Sequence, residues 1–238
     1  MRKITILCFG ASNVWGFKPG SFNLETLRAE RYDEDKRWTM QLQNSLGEDF
    51  RVVEEGLNGR TTMFDDKVAK KPYRNGLTQL PIILEQQYPI DLVIFMLGTN
   101  DTKIQYSKTS QEIAEGMREL VKIVKTSNVG PDATTPKILL TAPQPIKETD
   151  ALSAQFNNDS LVKAQEIINL YRQVATEEGI AFLDTSQCVV SSEIDGIHLD
   201  EDQLGKLAQT LQESIISLFP EYAPSNSETG TTAPQSFF

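Results

Sequence analysis

A single histidine, His198, occurs among the 238 residues, and it ends the segment Asp195-Gly196-Ile197-His198. Histidine is the usual general base for activating a serine near neutral pH. An aspartate three residues upstream can turn back onto the imidazole and fix its tautomer, so that the second ring nitrogen faces a nucleophile. The residue types and their spacing therefore predict an acid–base pair, Asp195 and His198. The alternative is a surface histidine on a turn before the last helix.

Ser12 is the candidate nucleophile for this pair. It follows the apolar run Ile4–Phe9 in the segment Phe9-Gly10-Ala11-Ser12-Asn13, where Gly10 permits a sharp turn. A serine at the start of a helical turn can also direct its own backbone N–H at an incoming oxygen. The alternative is that Ser12 only caps a helix, as serines at strand–helix turns often do.

Two further segments offer hydrogen-bond donors for a negatively charged oxygen. Asn100, in Gly98-Thr99-Asn100-Asp101, carries a neutral side-chain amide that can stabilise an oxyanion without titrating. Gly59, in Gly56-Leu57-Asn58-Gly59, can bring a backbone N–H close to a ligand because it has no Cβ. The alternatives are an Asx turn at Asn100 and a simple tight turn at Gly59.

The elements that must position these residues alternate along the chain. Apolar runs predict strands, and amphipathic segments such as Ser110–Thr126, with apolar residues every three to four positions, predict helices. Nearly all-apolar strands separated by amphipathic helices indicate a parallel sheet covered on both faces. The predicted strands are Ile4–Phe9, Arg51–Glu55, Asp91–Met96, Lys137–Thr141 and Ile180–Leu183, and the predicted helices are Arg37–Leu46, Leu77–Tyr88, Ser110–Thr126, Ser160–Glu178 and Glu201–Leu218.

The sequence therefore predicts an α/β protein, a three-layer α/β/α sandwich around a five-stranded parallel sheet. Ligands of such sheets bind beyond the carboxyl ends of the strands. Ser12, Gly59, Asn100 and the pair Asp195 and His198 each follow a different predicted strand, so all of them fall on this edge. Together they supply a nucleophile, oxyanion donors and an oriented base, which is the composition of a serine hydrolase site.

Composition and charge limit the class of protein. A hydrophobic fraction of 39% and a charged fraction of 24% are typical of one soluble domain of moderate size, which we expect to span residues 1–219. Residues 220–238, rich in Ser, Thr, Pro and Gly, are expected to form a flexible C-terminal tail. The net charge of −10 argues against nucleic acid or an anionic membrane as the main partner.

The remaining features favour a cytoplasmic protein that needs no metal and no cofactor. No segment approaches the ~20 apolar residues of a membrane span, and the apolar N-terminal run is interpreted as a strand rather than a signal peptide. Cys8 and Cys188 form neither a disulfide framework nor a zinc-ligand spacing, which suits a reducing compartment. The expected partner is a small-molecule ester.

The four segments resemble the motifs of the SGNH (GDSL-like) hydrolases, a superfamily of esterases and lipases with a flavodoxin-like three-layer fold. The resemblance spans residues 3 to about 218. It implies that Ser12 is the nucleophile of a catalytic triad completed by Asp195 and His198. It also implies an oxyanion hole made of the N–H groups of Ser12 and Gly59 and the side-chain amide of Asn100.

Longer stretches resemble the arylesterase and acyltransferase (perhydrolase) branch of this superfamily. That branch acts on short acyl esters and often forms homo-oligomers. The resemblance thus implies a serine esterase for short-chain acyl (acetyl-type, aryl or alkyl) esters, with acyl transfer and a homo-oligomer as further expectations. The stretches are Ile6–Gly10, Arg37–Thr39, Glu54–Leu57, Arg60–Thr62, Asp91–Ile94 and Met96–Lys103.

One position departs from the family pattern. The family has an aspartate directly before the nucleophile, and this chain has Ala11. Because a carboxylate there would brace the turn, a catalytically impaired binding module is one alternative function, and a carbohydrate acetylesterase or thioesterase of the same fold is another. Trp15 and Phe17, just past the nucleophile, are predicted to wall an apolar substrate pocket, the alternative being core packing.

Overall fold

The computed structural model describes residues 2–67 and 73–223. Each predicted strand and helix is present, with ends that differ from the sequence-based bounds by at most two residues. The strands are Ile4–Gly10 (β1), Phe50–Gly56 (β2), Leu92–Met96 (β3), Lys137–Ala142 (β4) and Ala181–Asp184 (β5). The helices are Ser12–Trp15 (α1), Trp38–Leu46 (α2), Gly76–Gln87 (α3), Ser110–Ser127 (α4), Asn158–Glu178 (α5) and Glu201–Leu218 (α6).

The five strands form one parallel sheet in the order β2-β1-β3-β4-β5, which is the flavodoxin-like order. The prediction of a three-layer fold with a five-stranded parallel sheet is confirmed. The register pairs Gly10 with Gly56 on one side and with Met96 on the other. The carboxyl ends of the three strands β1, β2 and β3 therefore lie side by side, and the loops that carry Ser12, Gly59 and Asn100 leave the sheet at neighbouring points.

Alternate side chains of the central strands form two separate cores. On one face, Leu7 and Phe9 of β1 pack with helices α3, α4 and α5. On the other face, Ile6 and Cys8 pack with α2 and α6. Because β1 and β3 are buried on both faces, every residue in them is shielded from water, whereas the edge strands β2 and β5 are largely half-buried.

The first residues of the predicted tail are ordered in the structure. Residues Pro220–Tyr222 form a short 3-10 helix, and the ring of Tyr222 contacts Phe50 of β2 with centroids 5.1 Å apart. This turn is therefore part of the packed domain, because its aromatic ring covers the end of the sheet. Residues 224–238, the rest of the predicted tail, lie outside the described residues. None of the helices in the described parts of the chain is long and apolar enough to cross a membrane.

Candidate active site

Ser12 is the first residue of α1, directly after the turn that leaves β1. Its side chain is buried, and its carbonyl accepts hydrogen bonds from the N–H groups of Gly16 and Phe17. Its own N–H finds no acceptor within residues 2–67 and 73–223, because it lies in the first turn of a helix. Ser12 thus presents both a hydroxyl and a free backbone donor at the carboxyl edge of the sheet.

His198 links this serine to Asp195 through both ring nitrogens. Nε2 of His198 lies 2.9 Å from Oγ of Ser12, and Nδ1 lies 2.8 Å from Oδ2 of Asp195. The other carboxylate oxygen of Asp195 accepts hydrogen bonds from the N–H groups of Ile197, at 3.1 Å, and His198, at 3.0 Å. The aspartate therefore curls back over its own turn and holds the imidazole in one orientation.

The backbone of this turn requires the glycine at its centre. Gly196 has φ +73°, and a Cβ at this position would lie 2.0 Å from the carbonyl oxygen of Lys147. The N–H of Lys147 in turn donates to the carbonyl of Gly196 at 2.8 Å, and Nε2 of Gln144 donates to the carbonyl of Ile197 at 2.9 Å. The loop after β4 thus clamps the turn that presents Asp195 and His198.

The environment of Asp195 keeps its carboxylate charged. Burial by itself raises the pKa of this carboxyl group, but the hydrogen bonds and charge of His198, together with the N–H group of Ile197, lower the pKa to about 2. The group is therefore an anion at any pH at which an esterase works. A fixed negative charge beside Nδ1 favours the imidazolium that forms when the other ring nitrogen accepts a proton.

Asn100 and Gly59 lie in the turns that follow β3 and β2. Asn100 is buried in the 3-10 helix Thr99–Thr102, and its Nδ2 donates to the carbonyl of Arg60 at 3.1 Å. An amide nitrogen carries two hydrogens, so one remains for a ligand. Gly59 has φ +83°, and its N–H has no acceptor in the described parts of the chain. Both residues therefore keep a donor available.

The two predicted pocket walls lie in different surroundings. The half-buried ring of Phe17 stacks on the imidazole of His198, with centroids 3.8 Å apart and an angle of 10° between the planes. Trp15 lies beside Phe17 at 6.4 Å and contacts the guanidinium of Arg31, which lies 5.5 Å from the Trp15 ring centroid. Phe17 is thus in direct contact with the candidate base, whereas Trp15 packs against Phe17.

A small pocket of about 20 Å³ opens beside Ser12. Its wall is mostly apolar, and neither Trp15 nor Phe17 is among the described residues that form it. Sequence reasoning identified Ser12 and Asn100 in this wall but missed the others. Several of the missed residues lie inside the motifs quoted above, so their position next to Ser12 or Asn100 in the sequence could have indicated that they line the pocket. The lining residues are Ala11, Ser12, Asn13, Met96, Leu97, Thr99, Asn100, Pro143 and Ile197.

A larger cavity of about 330 Å³ lies apart from these residues. It is bordered by the segment Met63–Asp65 and by Tyr106, whose ring lies 6.3 Å from that of Phe64. Among the described residues that line it, none belongs to the hydrogen-bonded chain of Ser12, His198 and Asp195. Ser12 therefore does not face this larger cavity.

Across residues 2–67 and 73–223, no cluster of three His, Cys, Asp or Glu side chains could hold a metal ion.

Residues 8–206 match the model of the GDSL-like lipase/acylhydrolase family. The chain belongs to this family. Its SGNH fold is shared with the solved structure of Est24, a carbohydrate acetylesterase from Sinorhizobium meliloti, which is 36% identical, covers 91% of this chain and 100% of its own, and superposes with a TM-score of 0.83. The M. smegmatis aryl esterase is 37% identical over 90% of this chain and 99% of its own, with a TM-score of 0.83.

A curated relative matches a smaller part of its own length. The acetylxylan esterase of Xylanibacter ruminicola is 25% identical over 191 residues, which are 74% of this chain but 38% of that protein. The family match and the named relatives identify this member of the GDSL-like family as a carboxylic ester hydrolase. The predicted membership of the SGNH superfamily, close to its arylesterases, is confirmed.

Proposed function

We propose that the protein is a serine esterase for short acyl esters that works through an acyl-enzyme, with Ser12 as nucleophile. The observation that carries this proposal is the unbroken hydrogen-bonded chain from Oγ of Ser12 through His198 to Asp195, with links of 2.9 and 2.8 Å. A serine hydroxyl is a weak nucleophile on its own, and an oriented base within hydrogen-bond distance is what activates it.

In the first half of the reaction, Oγ of Ser12 attacks the ester carbonyl while Nε2 of His198 accepts its proton. The alcohol then leaves with that proton, and an acyl-serine remains. In the second half, His198 accepts a proton from water while the water oxygen attacks the acyl-serine; the bond between the acyl carbon and Oγ of Ser12 then breaks, His198 returns the proton to Oγ, and the carboxylic acid leaves. Asp195 holds the ring tautomer throughout and stabilises the imidazolium of both halves.

The charge that develops on the carbonyl oxygen is stabilised by three donors in this proposal. They are the free N–H groups of Ser12 and Gly59 and the second hydrogen on Nδ2 of Asn100. Each preorganised donor of this kind contributes roughly 3 kcal/mol of transition-state stabilisation. The three donors come from loops after three adjacent strands, so the sheet register fixes their spacing.

A short acyl chain is favoured by the space beside Ser12. The pocket of about 20 Å³ has Met96, Leu97 and Pro143 in its wall, which suits an acetyl-sized apolar group better than a long chain. The Phe17 ring covers one face of His198, so the site is partly shielded from water. This shielding supports acyl transfer, in which another alcohol replaces water in the second half of the reaction.

The test of the proposal is covalent labelling followed by kinetics. A fluorophosphonate should add one adduct to the intact parent and none to Ser12→Ala, whereas Ser186→Ala, which lies at the same edge of the sheet after β5, should label like the parent. The untreated parent should hydrolyse p-nitrophenyl acetate faster than the butyrate and octanoate, and labelling should abolish this activity. An unlabelled parent, or equal labelling of Ser12→Ala, would refute Ser12 as the nucleophile.

A carbohydrate acetylesterase is the second candidate function. It is favoured by the names of two relatives, Est24 and the acetylxylan esterase. A panel of acetylated xylan fragments, acetylated monosaccharides, aryl acetates and acetyl-thioesters separates the candidates. A kcat/KM at least tenfold higher on the sugars would favour the carbohydrate esterase, and a preference for the thioester would favour a thioesterase.

A further inference from the structure

Arg60 is an unusual residue for its position, because it is only 3% exposed although it follows directly on the turn that contains Gly59. Arginine is rarely buried unless its guanidinium is paired. Burial lowers the pKa of this guanidinium to about 10, against the opposing effect of the Glu55 carboxylate. The group remains a cation near neutral pH, and its Nε and Nη1 atoms donate to groups inside the protein.

The side chain of Arg60 joins the ends of two strands to a helix. Its Nη1 donates to the carbonyl of Gly10, at 2.8 Å, and to the carbonyl of Glu55. Its Nε donates to Oε1 of Gln79 on α3 at 2.8 Å. The guanidinium carbon also lies 4.1 Å from the ring centroid of Phe9, in cation–π contact. These contacts connect the last residue of β1, two positions before Ser12, to the penultimate residue of β2.

The backbone of Arg60 extends this connection to the oxyanion donors. Its N–H donates to the carbonyl of Leu57 at 2.9 Å and closes the turn that contains Gly59. Its carbonyl accepts the hydrogen bond from Nδ2 of Asn100 at 3.1 Å. That acceptor requires the NH₂ end of the Asn100 amide to face it, which fixes the amide orientation and directs the second hydrogen elsewhere.

We propose that Arg60 is a positioning residue that sets the spacing of all three oxyanion donors, through Gly10 toward Ser12, through its own turn for Gly59, and through its carbonyl for Asn100. The inference rests on the proposed function, since it assumes that these donors receive the oxyanion. A lysine cannot reproduce the arrangement, because an ammonium lacks the planar fork that reaches Gly10, Glu55 and Gln79 together. Misplacement of the donors should act on the transition state more than on substrate binding.

The experiment compares Arg60→Lys and Arg60→Met with the parent in hydrolysis of p-nitrophenyl acetate. We expect kcat to fall about 10- to 100-fold while KM changes less than about threefold. The matched control is Arg118→Met, which removes a partly buried arginine away from the site that has three ion pairs, one within α4 and two to α5. Arg118→Met should lower the melting temperature and leave kcat of the folded fraction unchanged. If Arg60 were only structural, Arg60→Lys and Arg60→Met would behave in the same way.

A double-mutant cycle with Asn100→Ala supplies a readout that a purely structural role does not change. Because Arg60 orients Asn100 as well as the other two donors, adding Arg60→Lys to Asn100→Ala should slow the reaction by a smaller factor than adding it to the parent, so the double variant should be faster than the product of the single effects predicts. Fully multiplicative effects would overturn the part of the proposal that concerns Asn100. A kcat within twofold of the parent for folded Arg60→Lys would overturn all of it.

A third variant keeps the test decisive if neither Arg60 variant folds. Gln79→Met removes the acceptor of Nε from the half-buried start of α3 and leaves the guanidinium in place. We expect kcat to fall about 3- to 10-fold at constant KM, and an unchanged kcat would refute the proposal. Fluorophosphonate labelling of the parent separates the two levels: an unlabelled parent refutes the proposed function, whereas a labelled parent with unaffected Arg60 and Gln79 variants refutes only this inference.

Discussion

The ring of Phe17 lies flat against the imidazole of His198, with centroids 3.8 Å apart and planes inclined by 10°. In the proposed mechanism this imidazole becomes an imidazolium when it accepts the proton of Ser12. A cation over an aromatic face is stabilised by roughly 0.5–2 kcal/mol. The stack also covers one face of the ring, so it both holds the base in place and favours the charged form that exists in the transition state.

Replacing Phe17 by leucine should therefore slow the chemical step. From the range above, we expect kcat to fall about 2- to 30-fold, with a smaller change in KM, because the lost contact is strongest in the transition state. Phe17→Trp keeps an aromatic face and should recover most of the rate. A rise in KM without a change in kcat would instead mean that Phe17 only forms a wall for the substrate.

Asp195→Asn tests the acid of the candidate triad. The amide can favour the wrong tautomer of His198 and no longer supplies a negative charge, and the corresponding change in serine proteases costs roughly 10⁴-fold in kcat. Glu193→Gln, an exposed carboxylate in the same loop, is the matched control and should leave kcat within twofold. Similar rates for Asp195→Asn and the parent would remove this residue from the mechanism.

The lowered pKa of Asp195 also predicts how the stability of the folded protein depends on pH in acid. Because the folded protein lowers the pKa of Asp195 to about 2 from an ordinary value of 3.8, the parent is stabilised relative to Asp195→Asn above pH 4. This advantage should disappear as the pH falls through 2. Melting temperatures of the two proteins across pH 2–7 provide the measurement. A difference that does not depend on pH would mean that the charge of Asp195 does not stabilise the folded protein.

The fold was predictable because its strands combine two sequence signals, a short apolar run and a turn residue that ends it. Ile4–Phe9 and Asp91–Met96 are apolar runs too short for helices, and each ends at a turn signal, so their type followed from length and composition. The end of β1 lies one residue later than predicted, because Gly10 continues the ladder although it has no side chain to indicate a strand. The edge of the sheet at which the motifs meet was also predictable, because the carboxyl ends of parallel strands all lie at the same edge.

The side-chain environment of the site was less predictable. The sequence showed Arg60 and Asp101 only as members of motifs, and charged residues in turns are usually solvent-exposed. Their burial depends on the packing of the loops after β2 and β3 against each other and against the neighbouring helices, which no local pattern encodes. The stack of Phe17 on His198 joins residues 181 positions apart, so it likewise depends on the tertiary fold.

Ala11, which replaces the usual aspartate of the family, is buried and forms part of the wall of the small pocket. The turn is held without a carboxylate, because the N–H of Ala11 donates to the carbonyl of Met96 at 3.3 Å and its carbonyl accepts from Trp15 at 3.0 Å. Because alanine is smaller than aspartate, it leaves more room in the apolar pocket than the usual family residue would. We expect Ala11 to extend the range of acyl groups that are accepted rather than abolish activity.

Ala11→Asp should narrow this pocket and add a charge near the developing oxyanion. We expect kcat/KM for p-nitrophenyl butyrate to fall at least about threefold more than kcat/KM for the acetate, because added volume excludes the longer chain first. Ala11→Asn, which has nearly the same shape without the charge, separates size from electrostatics. An increase of more than about tenfold on every ester would show instead that the missing carboxylate impairs the parent.

Asp101, the residue after Asn100, is fully buried with its carboxylate only half satisfied. Oδ1 accepts hydrogen bonds from the N–H and Oγ1 of Thr62, at 2.8 and 2.6 Å, whereas Oδ2 has no partner among the described residues. Burial raises the pKa of this group from 3.8 to about 7, although the bonds from Thr62 oppose the shift. The folded protein therefore retains a proton that the unfolded chain releases above pH 4.

This difference in proton binding sets the sign of a stability effect. Since the Asp101 carboxyl group holds more protons in the folded state between pH 4 and 7, its contribution to the free energy of unfolding should decrease across that interval and become constant above it. Asp101→Asn keeps an acceptor for Thr62 and cannot ionise, so its melting temperature relative to the parent should rise from pH 4 to 7. Asp49→Asn, at an exposed position, should show no such trend. A constant difference between Asp101→Asn and the parent would mean that Asp101 is charged in the folded protein and that the loops around Asn100 contain a compensating donor.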